Sequence, residues 1–359
     1  MSNSVSKEAV LKALGHVQDP ELHKDLVTLG MIKDLEIEDS NVQFTLELTT
    51  PACPMRNQIK TEAMGAVEAL PGVTNVEINL TANVPNDGHA RGNIQRPIRN
   101  AVAIASGKGG VGKSTVAVNI SVALARAGAN VGLLDADIYG PNIPTMMGVD
   151  KLPTAKNEKL IPAEAHGVKV MSIGFLVPEG QPLIWRGPML HSAIRQFIAD
   201  VEWGELDYLI IDLPPGTGDA QLSLAQSIPL SGGVIVTLPQ RVSLEDARRG
   251  LEMFRSMNVP ILGVVENMSL LTLPDGTTVD VFGQGGGEQL AAEANVDFIG
   301  SVPMDPIIRE AGDIGFPVIL SHTSSEAAQV LNDVAERVAA KVSVIAKEGS
   351  GLIPIEMID

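Results

Sequence analysis

The chain has 359 residues, with 26 lysines and arginines against 43 aspartates and glutamates, a net charge of −17 and one cysteine, Cys53. A single thiol closes no intramolecular disulfide. It supplies neither a structural zinc site nor a within-chain iron–sulfur site. The acidic balance argues against nucleic acid and anionic membrane as partners.

Residues 1–7 show neither a basic n-region nor an apolar h-region, and no apolar run reaches the ~18 residues of a membrane span. The expectation is a cytoplasmic protein with a sizeable core, in two domains or one large one. In residues 5–15, Val5, Ala9, Val10, Ala13 and Leu14 recur at helical spacing, and Asp19-Pro20 breaks the pattern. Residues 31–48 read as a hairpin around the polar turn Glu38-Asp39-Ser40-Asn41. A helix over 55–70 and a strand over 73–80 complete a small α+β unit, residues 1–82. Residues 83–99 are polar, with Gly, Pro and the arginines Arg91, Arg96 and Arg99, and read as a solvated linker.

From residue 100 to 345 the pattern becomes strand–helix alternation. Apolar runs at 101–105, 131–134, 208–211, 233–237 and 260–265 are continuous rather than alternating. Such strands belong to a parallel sheet covered on both faces, so the fold class is α/β, a doubly wound, mostly parallel sheet. Residues 346–359 read as a tail.

The strongest chemical signal follows the strand at 101–105. Gly107-Lys108-Gly109-Gly110-Val111-Gly112-Lys113-Ser114 satisfies the P-loop pattern, and the helix expected over 114–127 comes next. Glycines let successive backbone N–H groups converge on phosphate oxygens, and the helix N-terminus adds its dipole. Lys113 suits the β and γ phosphates of ATP, Ser114 a Mg²⁺ ion, and Thr115 the α-phosphate. Asp135 and Asp137 follow the strand at 131–134, where carboxylates face the ligand crevice of such a sheet. One suits the attacking water and the other Mg²⁺ through water. Asp212 ends an apolar strand before Leu-Pro-Pro-Gly-Thr-Gly, a Walker B arrangement in the Mg²⁺ shell. Gly216 can then offer its N–H to the γ-phosphate, as switch loops do. Asn267, just past the strand at 260–265, suits adenine N6 and N7, and Pro303 suits the flank of the base. The six histidines show no metal spacing.

With Lys108 included, the loop resembles the deviant Walker A group of the MinD, ParA and nitrogenase iron-protein ATPases. That resemblance implies a homodimer in which Lys108 reaches the partner's nucleotide, and it assigns water positioning to Asp137. Hydrolysis then rests on Lys108, Lys113 and Asp137. The segments GKGGVGKST, LLDADIYGPNIP, PLIWRGPM, YLIIDLPPGTGD, ENMS, FGQGGG and VPMDPIIREAGDIGFPV narrow the match. Together they resemble the Mrp/ApbC (Nbp-type) iron–sulfur cluster carriers. Asp19-Pro-Glu, Val27-Thr-Leu-Gly30, Leu48-Thr-Thr-Pro-Ala-Cys53-Pro54 and Leu70-Pro-Gly-Val73 resemble the metal–sulfur-assembly domain often fused before that ATPase.

The resemblance implies ATP hydrolysis, an iron–sulfur cluster as cargo, and apo iron–sulfur proteins or other assembly factors as partners. The sequence departs from it at one place. Where those carriers hold a C-x-x-C, this chain has Leu273-Pro-Asp-Gly276. Cluster ligation then falls to Cys53, placed by Pro54 at the N-cap of the next helix, where thiolate is stabilised. Two readings stay open, a cluster carrier and a nucleotide-gated adaptor that holds no cluster. A MinD/ParA-like positioning ATPase ranks below both, because neither the charge nor the acidic C-terminal tail suits DNA or membrane.

Overall fold

The computed structural model describes residues 5–89, 98–138, 140–151, 159–176 and 187–349. Arg91, Arg96, Tyr139, residues 182–186 of the PLIWRGPM segment and the tail from 350 on lie outside the described residues. The chain divides into two compact units, Met1–Pro85 and Asn86–Asp359.

In the small unit, α1 (Lys7–Leu14) starts at Ser6, whose hydroxyl accepts the Ala9 N–H at 3.2 Å. That bond satisfies one of the free donors of the first turn. A two-residue ladder of β1 (Gln18–Asp19) and β2 (Lys24–Asp25) brackets the Asp-Pro break. β3 (Ile32–Glu38) and β4 (Asn41–Leu48) form the expected antiparallel hairpin. Val42, Phe44, Leu46 and Leu48 of β4 are all buried, the period of two that one covered face requires. α2 (Arg56–Glu68) buries Ile59, Ala63 and Val67 at helical spacing and carries the chain to β5 (Asn75–Ala82), which pairs parallel with β4.

The large unit is built on eight strands. β6 (Ile98–Ala105) leads through the P-loop into α3 (Lys113–Ala127), then β7 (Val131–Asp135) and the short α4 (Ile143–Met146). β8 (Ala163–Ala165) and β9 (Val168–Ser172) precede α5 (Gly187–Ala199), β10 (Leu206–Asp212), α6 (Asp219–Ser227), β11 (Gly232–Thr237) and α7 (Arg241–Ser256). β12 (Ile261–Glu266) is followed by a small hairpin, β13 (Leu270–Thr272) and β14 (Thr278–Asp280). Then come α8 (Gly286–Ala294), β15 (Phe298–Ser301), α9 (Pro306–Asp313), α10 (Val318–Ser321) and α11 (Glu326–Gly349).

The strand order is β15-β12-β11-β6-β10-β7-β9-β8. Every pair is parallel except β8 with β9 at the edge. The central strands β6, β7, β10 and β11 are almost wholly buried, as a sheet covered on both faces demands. From β6 the chain winds first towards β7 and later, after β10, towards β11. The strand order therefore reverses at the C-terminal ends of β6 and β10, the position where such sheets form a ligand crevice.

Three differences from the sequence reading have physical causes. β9 was not anticipated, because Lys169 interrupts its apolar run. Lys169 keeps its charge bonded by donating to the Trp203 carbonyl at 2.5 Å. β6 begins at Ile98, inside the expected linker, and Asp87 is already tied to the large unit, its amide donating to the Arg99 carbonyl at 3.2 Å. The last expected boundary, residue 345, falls inside α11, whose apolar stripe Leu331, Val334, Val338 and Val342 is buried.

Candidate nucleotide-binding site

The P-loop joins β6 to α3 and is shaped by glycine. Gly110 and Gly112 have φ of 80° and 81°, the left-handed region that side chains avoid. Gly112 caps α3, and a Cβ on it would lie 2.1 Å from Asn267 Nδ2. Gly107 is needed for another reason. A Cβ there would fall 2.1 Å from the backbone carbon of Asp246 in α7. The sequence motif showed only the phosphate role of this glycine, and the α7 contact is long-range.

Four candidate side chains meet at the floor of the loop. Lys113 Nζ donates to Asp212 Oδ1 at 2.6 Å and lies 3.7 Å from Asp137 Oδ2. Ser114 Oγ donates to Asp212 Oδ2 at 2.5 Å. Sheet register explains the convergence: Asp212 and Asp135 are direct neighbours at the ends of the parallel strands β10 and β7. Burial raises the pKa of both carboxyls, and the neighbouring Asp212 charge helps push Asp135 up to about 8. Lys113 and Ser114 act against the rise at Asp212.

Asp135 is fully buried. It accepts the Asp137 N–H at 3.1 Å, the Ile143 N–H at 3.3 Å and the Ser172 hydroxyl at 2.9 Å. Those bonds fix the turn that presents Asp137.

A cavity of 720 Å³ opens above this floor. Of the sequence candidates, Lys108, Gly109, Gly110, Gly112, Lys113, Ser114, Thr115, Asp137, Asn267 and Pro303 line it. Gly107, Val111, Asp135, Asp212 and Gly216 are not among its lining residues. Val111 supports the rim, since its carbonyl accepts Asn267 Nδ2 at 2.8 Å. Gly216, at φ 99°, donates its N–H to the Ser106 carbonyl at 3.0 Å, and Pro215 beside it faces the cavity.

The sequence reading missed Met146, Met268, Leu271 and Met304, which form an apolar part of the wall. The adjacency of Met268 to Asn267 and of Met304 to Pro303 was the available signal. It also missed Glu266. Its buried carboxylate accepts the N–H of Gly285 at 3.1 Å and of Gly287 at 2.7 Å, anchoring the start of α8.

Cys53 belongs to the small unit, half-buried at the edge of that unit's core. The expected N-cap position is corrected. α2 begins at Arg56 with Met55 as its N-cap, so Cys53 lies two residues outside the cap. The Cys53 carbonyl instead accepts the Arg56 N–H at 3.3 Å, which places Pro54 inside a turn. The helix-dipole argument for a stabilised thiolate therefore does not hold at this position.

Comparison with known proteins now decides the family. A family model described as NUBPL iron-transfer P-loop NTPase matches residues 97–339. The chain belongs to that family. A second model, iron–sulfur cluster assembly protein, matches residues 7–78. The chain is 53% identical to a Synechocystis protein named iron–sulfur cluster carrier protein, over 95% of this chain and 99% of that one. A Deinococcus radiodurans protein of the same name is 51% identical, over 94% and 96%.

Among solved structures, an Archaeoglobus fulgidus nucleotide-binding protein in complex with ADP superposes with a TM-score of 0.56 at 37% identity. It covers 64% of this chain and 90% of its own. Pyrococcus furiosus MinD, a cell division ATPase, shares the fold at TM-score 0.52 and 23% identity, covering 67% of this chain and 98% of its own. Among the described residues no helix is long and apolar enough to cross a membrane.

Proposed function

We propose that this protein is an ATP-hydrolysing iron–sulfur cluster carrier. One observation carries the ATPase part: Lys113 sits between Asp212 and Asp137, with Ser114 on Asp212, beneath a cavity rimmed by Asn267 and Pro303. The P-loop amides and Lys113 hold the β and γ phosphates, and Thr115 reaches the α-phosphate. Catalysis is then positioning and charge stabilisation. Asp137 orients the attacking water, and Lys108 of a second copy completes the neutralisation in a homodimer. Asp135 positions Asp137 through its turn.

The donor set fits Mg²⁺. A serine hydroxyl and an aspartate carboxylate 2.5 Å apart are hard oxygen ligands with room for phosphate oxygens. Ser114 and Asp212 would hold the ion, with Asp135 behind them. It would neutralise phosphate charge. Asn267 keeps Oδ1 and one amide hydrogen for adenine, since its other hydrogen goes to Val111.

The carrier part follows from the relatives named above. With one cysteine per chain, the cargo cluster takes Cys53 plus thiols from a second copy, a client apoprotein or a small thiol. That same count favours a second reading, in which the chain gates assembly by nucleotide state and holds no cluster. The net charge of −17 supports protein partners over nucleic acid or membrane.

Lys113→Ala tests the ATPase, with phosphate release expected to fall on the order of 10²–10³-fold. Unchanged turnover removes the site. Anaerobic reconstitution with iron and sulfide tests the cargo. Cluster absorbance that disappears in Cys53→Ser supports the carrier, and no cluster in either protein leaves the adaptor.

A further inference from the structure

One buried amide in the large unit has no hydrogen bond. Gln221, in the first turn of α6, is 2% exposed, and neither its Oε1 nor its Nε2 has a partner. One and two turns further along the same helix face, Leu224, Ala225 and Ile228 belong to the apolar core. Gln221 thus occupies a core position with a side chain that loses its water there and gains nothing in exchange. Asn100 leaves only its Oδ1 without a hydrogen bond, its Nδ2 donating to the Asp207 carbonyl, and other buried polar side chains of the unit are bonded. Ser121 reaches the Ala117 carbonyl, Thr237 meets Ser243, and Glu266 holds two backbone amides.

Its place in the chain suggests a use. α6 follows directly on the loop 213–218, which starts at Asp212 and lines the cavity with Pro215. The first part of that loop is held by the Leu213 N–H on the Ile104 carbonyl and the Gly216 N–H on the Ser106 carbonyl, both at 3.0 Å. Pro214 and Pro215 carry no N–H, and Gly218, the N-cap of α6, offers no side-chain cap. Counting from Gly218, Gln221 is the third helical residue. A glutamine at that position can reach back and accept the N–H of the N-cap residue, one half of a capping box. In the structure described here that bond is not made.

We propose that Gln221 is a positioning residue for hydrolysis. As the 213–218 loop closes on the γ-phosphate, Gln221 Oε1 accepts the Gly218 N–H and Nε2 donates to a carbonyl of the same loop. The amide is unpaired in the open arrangement and paired in the closed one. That difference favours closure, because only a differential interaction shifts an equilibrium. The proposal rests on the ATPase reading above and adds a residue that does not line the cavity.

The test compares Gln221→Met and Gln221→Glu with the unaltered protein. Methionine matches the length without polar atoms, and glutamate keeps the capping oxygen. Gln221→Met is expected to raise the melting temperature without nucleotide and to lower kcat about five- to tenfold, the worth of a lost cap. KM for ATP stays within about twofold, and Gln221→Glu recovers most of kcat. A kcat for Gln221→Met equal to that of the unaltered protein overturns the proposal. So does a fall in its melting temperature, which means that internal water already bonds the amide at rest.

Hydrogen exchange on the unaltered protein gives a second measurement, independent of how the variants fold. Amides of residues 213–222 should exchange more slowly with a non-hydrolysable ATP analogue bound, and no slowing also overturns the proposal. Absence of hydrolysis in the unaltered protein removes the ATPase reading itself, which separates the two failures.

Discussion

The floor of the nucleotide cavity and the surroundings of Cys53 are built on opposite principles. At the floor, Lys113 lies within hydrogen-bonding or ion-pair distance of Ser114, Asp137 and Asp212, Ser114 donates to Asp212, and Asp135 is locked by three further donors. Strand register, two left-handed glycines and the α3 N-terminus each fix the same arrangement. Around Cys53 the structure supplies one thiol, a turn and the edge of a small core. On the proposed function, the first region places most of one chemistry within a single chain and takes only Lys108 from a second copy. The second supplies one thiol and, on the same reading, holds a cluster only when another molecule brings further thiols. On the proposed function, then, the phosphate-binding groups come mainly from this chain, whereas the cluster ligands come mainly from partners.

The largest predicted effect attacks the over-determined region. Gly112→Ala puts a Cβ against Asn267 Nδ2 and asks a non-glycine residue to hold φ near 81°. The left-handed backbone alone costs about 1–2 kcal/mol. ATP affinity, measured by calorimetry, should fall by at least about tenfold, and the α3 cap and the adenine rim should loosen together. Normal affinity would show that the loop is less constrained than its contacts imply.

Cys53→Ser addresses the other side of the comparison. Cluster retention should be lost while ATP turnover stays within about twofold, because Cys53 and the P-loop belong to separate compact units and independent sites add. A parallel loss of turnover would mean that the two regions are coupled. Asn267→Ala lies between these extremes. It removes the proposed base contact and the bond to Val111. Discrimination of ATP from GTP should drop about tenfold, the scale of one buried hydrogen bond to a substrate edge. Competition assays with both nucleotides measure it.

The same contrast explains what could be read from the sequence. The P-loop, Asp137 and Asp212 were legible because their chemistry is written in short segments between strand and helix. The parallel sheet was legible because its strands are continuous apolar runs. Gly107 was only half legible, since its close approach to α7 depends on residues far along the chain. Cys53 was misread because a proline after it fits both the first turn of a helix and the second position of a turn. Hydrogen bonding selected the turn. β9 was hidden by Lys169, whose charge is satisfied by a carbonyl that only the fold brings near.

The smallest predicted effect concerns protons rather than side chains. Asp135 has its pKa raised from 3.8 to about 8 by burial beside Asp212. The folded chain therefore keeps a proton there that the unfolded chain releases near pH 4. The sign follows from linkage: where the native state binds more protons, stability falls as pH rises. The stability from this group is fully present below about pH 4 and is lost as pH rises through about 8. Melting temperature without nucleotide should therefore decline as pH rises from about 4 to about 8 and level off above that, by several degrees in a chain of this size. Cys53 and its turn carry no comparable buried carboxyl pair, so Cys53→Ser should leave that slope unchanged. A flat profile would mean that Lys113 and the three donors on Asp135 outweigh burial, and that the floor holds its carboxylates charged before any phosphate arrives.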